Sequence, residues 1–180
     1  MKKDFIIPVL VLTIICLVVG VALALMNDAT APIITAASLE RRDAAMLQKI
    51  PQADGFEILY TQGADSTELS GQTLPDSIRE IYSTTNNVGY IFIAAMPGYS
   101  GNITVITAID PNGQIIQTST LSHTETQGIG TIIETPSFLD KFIGRDSRLE
   151  GVDTVAGATV TTRAYIRAIE DIMIAFDMLP

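Results

Sequence analysis

The sequence predicts an α+β domain tethered to a membrane by one N-terminal helix. Three observations carry that prediction. An uncharged apolar stretch opens the chain, three strand-like segments follow one another across short turns, and a helix with a three- and four-residue apolar repeat closes it.

The opening stretch, Phe5 to Met26, would rise roughly 33 Å as a helix, against a hydrocarbon core of about 30 Å. Pro8 falls in its first turn, where a missing N–H costs little, and Gly20 is tolerated in lipid. Lys2 and Lys3 precede it while Asn27 and Asp28 follow. The positive-inside rule therefore predicts residues 1–4 in the cytoplasm, 5–26 in the membrane and 27–180 outside the cytoplasm. A cleaved secretion signal is the rival reading, but the run is long for a signal core and Ala22, Ala24 and Met26 make a weak cleavage site. Cys16 follows Thr13-Ile14-Ile15, which is no lipid-attachment motif, and reads as a buried membrane cysteine. As the chain's one cysteine, it leaves the outer part with no disulfide and no thiolate metal cluster.

With 180 residues, the chain has room for this helix and one domain with a real core. Setting aside Lys2, Lys3 and Asp4 leaves nine basic and nineteen acidic residues, a formal charge of −10. Nucleic acid is excluded as a partner by that balance.

Between the ends, Asn27 to Ala37 contains Pro32 and several threonines and reads as a short extended passage. A helix is expected next, with Ser38 as N-cap, an apolar stripe of Leu39, Met46, Leu47 and Ile50, and Pro51 as its stop. Phe56–Tyr60 and Ile78–Ser83 have strand composition, separated by a surface loop over 62–76. Residues 88–95, 102–109 and 114–121 read as an antiparallel meander, joined by Pro97-Gly98-Tyr99-Ser100-Gly101 and by Asp110-Pro111-Asn112-Gly113. Pro136 to Ile143 reads as a short helix with Phe138, Leu139 and Phe142 inward, ended by Gly144. From Thr162 to Met178, Tyr165, Ile166, Ile169, Ile172, Met173 and Phe176 form the apolar stripe of a helix that packs on the sheet.

Chemistry concentrates where that last helix begins, in Asp153-Thr154-Val155-Ala156-Gly157-Ala158-Thr159-Val160-Thr161-Thr162. Unpaired backbone N–H groups and the positive helix end favour a phosphate there, and Gly157 with Ala156 and Ala158 keeps the approach open. The same residues also suit a plain cap, with Thr161 or Thr162 closing the helix start and Gly157 turning the chain. Upstream lies Leu121-Ser122-His123-Thr124-Glu125-Thr126-Gln127-Gly128-Ile129-Gly130, which without further information is a turn after a strand. His123 is the one histidine and has no clustered second ligand, so it reads as a hydrogen-bonded structural residue, and no metal site is expected.

The first of these segments resembles the flavinylation motif Asp-x-x-Ser-Gly-Ala-Thr-x-Thr-Ser/Thr. That motif belongs to the G subunit of the Rnf ion-translocating ferredoxin:NAD oxidoreductase and to the C subunit of the sodium-pumping NADH:quinone reductase. The second resembles that family's His-x-Glu-Thr-Pro-Gly-Leu-Gly, with Gln127 in place of proline. The Gly98–Gly101 turn, residues 138–144 and the membrane helix followed by Thr30-Ala31-Pro32 extend the resemblance over nearly the whole chain.

The resemblance implies that a flavin transferase, using FAD and Mg²⁺, links FMN through its phosphate to Thr161. Asp153, Gly157, Ala158, Thr159 and Thr162 would complete the motif around it, while Ala156 replaces the usual serine and forgoes a hydrogen bond of about 1 kcal/mol. Glu125 and Thr126 would bond flavin edge atoms, and Gly128 and Gly130 would let backbone approach the ring.

The implied protein is an electron-transfer subunit of a bacterial or archaeal cell-membrane complex that couples ferredoxin:NAD electron transfer to sodium or proton movement. No catalytic residue is expected on the polypeptide, since the flavin carries the electrons and other subunits of the complex would bind NAD and iron–sulfur. Absence of long insertions favours the Rnf G-type over the quinone-reductase C-type subunit. A stand-alone flavinylated carrier and an unmodified membrane-tethered binding or assembly module remain the alternatives.

Overall fold

The computed structural model describes residues 3–63, 68–69 and 72–179, which fall into two compact units, Met1–Asp43 and Ala44–Pro180. Helix α1 runs without interruption from Lys3 to Lys49. Its apolar stretch Pro8–Ala31, 24 residues with every side chain exposed, is long and apolar enough to cross a membrane.

Two local expectations fail here. Residues 27–37 are helical instead of extended, and Ser38 lies inside the helix instead of capping a new one. Pro32 forgoes one backbone bond, but Thr13 and Thr30 hydroxyls return to carbonyls one turn back, the arrangement by which threonine joins a helix instead of breaking it. The expected stop before Pro51 holds. Of the expected stripe, Met46 and Ile50 are buried and Leu47 is exposed; the side chain of Leu39 lies outside the described residues.

In the second unit, strands β1 (Phe56–Thr61), β4 (Ile78–Thr84), β5 (Tyr90–Pro97), β6 (Asn102–Ile109) and β7 (Ile115–Ser122) form one antiparallel sheet in the order β1-β4-β5-β6-β7. The expected three-stranded meander is thus its centre and one edge. The expected loop over 62–76 contains a small hairpin, β2 (Glu68–Leu69) with β3 (Gln72–Thr73); 64–67 and 70–71 lie outside the described residues. Strands β5 and β6 pair in unbroken register from Tyr90↔Ile109 to Pro97↔Asn102. The following turn is fastened by Asp110, whose Oδ1 accepts the N–H groups of Asn112 and Gln114, with Gly113 at φ +82°.

Both faces of the sheet are covered, which explains why β5 and β6 read as apolar runs instead of alternating. Phe92, Ala94, Ile103 and Val105 pack against helix α3 (Thr159–Asp177), while Ile91, Ile93, Ile106 and Ala108 pack against Met46 and Ile50. A 3-10 turn (Gly130–Glu134), helix α2 (Pro136–Leu139) and a second 3-10 turn (Asp140–Phe142) carry the chain from β7 towards α3. Phe138 and Phe142 meet Tyr165 with ring centroids 5.3 and 5.4 Å apart. Tyr165 also shares a 2.8 Å hydrogen bond with Thr118 of β7, so the start of α3 is pinned to the sheet by both packing and a buried polar contact.

Candidate functional site

Three segments meet at the start of α3: the β5–β6 turn at 98–101, the chain after β7, and the Gly157 loop. They enclose a cavity of about 500 Å³ lined by Tyr99, Glu125, Thr126, Ile129, Gly130 and residues 157–161.

Helix α3 begins three residues earlier than the sequence predicts, with Ala158 as its N-cap. The alanine side chain offers no oxygen and no other side chain among the described residues caps the helix, so the first-turn N–H groups, on residues that line the cavity, have no side-chain acceptor. Thr161 sits in that first turn, 3% exposed, and its hydroxyl donates to Glu125 Oε2. Thr162 takes the structural role: its Oγ accepts the Val155 N–H at 3.1 Å and donates to the Ala158 carbonyl at 2.9 Å, stitching the loop to the helix. Gly157 turns the chain at φ +87° with open space where a Cβ would project.

Glu125 is the hub. Its Oε1 accepts the N–H groups of Tyr99 and Ser100, each at 2.9 Å, while Oε2 holds Thr161. Burial pushes its carboxyl up, but the hydrogen bonds from Thr161, Ser100 and Tyr99, aided by any charge on His123, outweigh burial and hold it below the ordinary value. Two glycines make room for it. A Cβ on Gly98 would come within 2.5 Å of Glu125 Oε1, and one on Gly130 within 2.5 Å of Glu125 Cβ. His123 fastens the same loop: Nδ1 accepts the Glu125 N–H at 3.1 Å, and Nε2 faces Glu134 Oε1 at 3.1 Å.

Of the residues singled out in the sequence, Glu125, Thr126, Gly130, Gly157, Ala158, Thr159 and Thr161 line this cavity. Glu125 spends its carboxylate inside the protein instead of presenting both oxygens to a ligand. Gly128, at φ +82°, and Ala156 line a neighbouring cavity of about 220 Å³, Asp153 is exposed beside neither, and Thr162 is fully buried.

Sequence reasoning missed Tyr99, Ile129 and Val160 as site residues. All three leave more than half their surface exposed around one opening, the pattern expected of a surface for a flat apolar ligand. The available signal was an aromatic residue at the tip of a Gly-x-x-Gly turn.

Residues 98–173 match the FMN-binding domain family, a stretch that contains every residue lining the cavity. The chain is also similar to the G subunit of the ion-translocating oxidoreductase complex of Cereibacter sphaeroides, 30% identical over 98% of this chain and 86% of that protein. The chain belongs to the family of these G subunits. Among other relatives, the G subunit of the corresponding complex of Pasteurella multocida is 31% identical over 73% of each chain. The G subunit of the proton-translocating ferredoxin:NAD(+) oxidoreductase complex of Clostridium ljungdahlii is 24% identical over 89% of this chain and 85% of its own length. The uncapped helix start and the exposed rim of Tyr99, Ile129 and Val160 border one cavity within the stretch that matches the FMN-binding domain.

Proposed function

We propose that this chain is the membrane-tethered electron-carrying subunit of an ion-translocating ferredoxin:NAD oxidoreductase complex, with FMN attached through its phosphate to Thr161. One observation carries the reading: in a chain of the G-type family, the Thr161 hydroxyl stands in an uncapped helix start at the wall of a cavity with an apolar rim. Bound there, FMN would supply a centre that takes up and releases electrons one or two at a time.

The protein's own residues do the rest. The N–H groups of Thr159, Val160 and Thr161 face the phosphate position, Gly157 and Ala158 leave it room, and Tyr99, Ile129 and Val160 flank the ring and exclude water. Glu125 holds the three site segments together. A flavin transferase is the maturation partner, the other subunits of the complex are the redox partners, and the domain from residue 27 onward lies outside the cytoplasm. Charges flanking the apolar helix support that orientation. A tether keeps the flavin in a thin layer beside its partners, which raises its effective concentration.

Co-expression with a flavin transferase, followed by denaturing electrophoresis, tests the attachment. Wild type and T161S are expected to carry in-gel flavin fluorescence and the added mass of FMN on the peptide containing residue 161. T161A is expected to carry neither. Fluorescence that survives in T161A overturns the acceptor assignment, and an unmodified wild type beside a modified control substrate favours a binding or assembly module.

A further inference from the structure

A second cleft, of about 290 Å³, shares Val160 with the flavin cavity and is bounded by Met96, Pro97, Arg163, Ala164 and Arg167. Positions 160, 163, 164 and 167 lie on one face of α3, so the cleft continues along the helix from the cavity mouth.

Charge sets this cleft apart. In the unit that begins at Ala44, Arg79 bonds Gln62, Arg145 bonds the Lys141 carbonyl, and Arg148 pairs with Asp146. Lys141 lies over the Phe138 ring and Lys49 is buried. Arg163 and Arg167 are exposed, and no acceptor among the described residues engages either. Like charges four residues apart on a helix repel, and among the described residues no carboxylate pairs with either: Glu170 and Asp171 follow Arg167 by three and four positions, and Asp171 accepts the Ser77 hydroxyl instead. In a chain with nine more acidic than basic residues, they form a local reversal of sign over an apolar floor of Met96 and Pro97. Methionine and arginine around a small apolar cleft are also the composition of a protein interface, and guanidinium groups bind carboxylates in a two-pronged geometry.

We propose that this cleft docks a carboxylate-bearing segment of the protein that exchanges electrons with the flavin. The identity of the partner as a redox protein rests on the proposed function; the docking itself rests on the cleft. Because the rest of the domain repels an acidic surface, the arginine pair also sets orientation, bringing the partner in across Val160 at the edge of the flavin cavity.

The test uses the full chain in its membrane complex, co-expressed with a flavin transferase. R163E/R167E is expected to slow flavin reduction in the complex on the order of tenfold at low salt, with the difference shrinking to about twofold at high salt. A variant that matches wild type at low salt overturns the proposal.

R163K and R167K then provide a readout that does not depend on tolerance of charge reversal. Each is treated with a carbodiimide, which joins a lysine amine to a neighbouring carboxylate. An adduct to an Asp or Glu of another subunit, absent from wild type, is expected. No adduct from either variant overturns docking, as does an adduct to the carboxylate of a lipid headgroup. In-gel fluorescence of the same samples reads the flavin separately: a chain without it overturns the proposed function, while the cross-link still decides the docking.

Discussion

Glu125 binds two backbone amides and one hydroxyl that lie 25, 26 and 36 residues from it in sequence, and it does so at 8% exposure. Its depressed pKa sets the sign of a pH effect. The stability it contributes is complete above its ordinary value of 4.5 and is lost as the pH falls from there through the folded value. E125Q is therefore expected to be less stable than wild type by about 1–3 kcal/mol near neutrality, with the gap narrowing towards pH 3, as read by urea denaturation at a series of pH values. A gap that stays constant across that range would mean the carboxylate charge is not what the amides and hydroxyl recognise. This residue also marks the limit of the sequence. Glu125 is legible as a site residue through its motif, but its partners are not, because nothing local pairs a glutamate with a turn before β6 and a helix start after residue 158. Thr161 and Thr162 are neighbours of one type, and only the fold separates the one facing the cavity from the one sewn into the loop.

At the scale of elements, legibility follows how local the cause is. Hairpins closed by Asp110–Gly113 and Gly98–Gly101 announce themselves, and β6 runs over the residues expected of it, because turn chemistry and strand propensity act within a few residues. Helix α3 starts earlier than expected because Ala158 is an unconventional N-cap that no side-chain oxygen marks. Continuity of α1 through 27–37 was hidden for the opposite reason: Pro32 and the threonines are locally unfavourable for a helix, and the flanking helical segments override them. The start of α3 is held by the rings of Phe138, Phe142 and Tyr165. F138A is expected to cost about 3–5 kcal/mol and to reduce flavin attachment, since the first turn of α3 loses its support one turn beyond Thr161. Calorimetry and in-gel fluorescence check the two halves of that statement. Loss of stability with full attachment would separate the aromatic cluster from the site.

At the scale of the whole molecule, the unit beginning at Ala44 contains both layers its sheet needs, α3 on one face and Met46 with Ile50 on the other. A fragment of residues 44–180 is expected to be soluble and to unfold in one transition. A fragment starting at residue 53 uncovers Tyr82, Ile91 and Ile93 and is expected to aggregate, which size-exclusion chromatography would reveal. Burial of Thr161 carries a consequence for how the protein matures. Folded, its hydroxyl is held by Glu125 at the cavity wall, so on the proposed attachment a transferase meets a free hydroxyl only in moments when that hydrogen bond opens. The rate of modification is then scaled by the fraction of time the bond is open. E125A, which releases the hydroxyl, is expected to be modified several-fold faster than wild type although it is less stable, and an unchanged rate would mean that the enzyme opens the site itself. After the ester forms, no proton remains to bridge the two oxygens and a phosphate charge faces the carboxylate, so that hydrogen bond cannot form again. Attachment would act as a one-way latch, leaving the mature domain in a conformation its unmodified precursor does not hold.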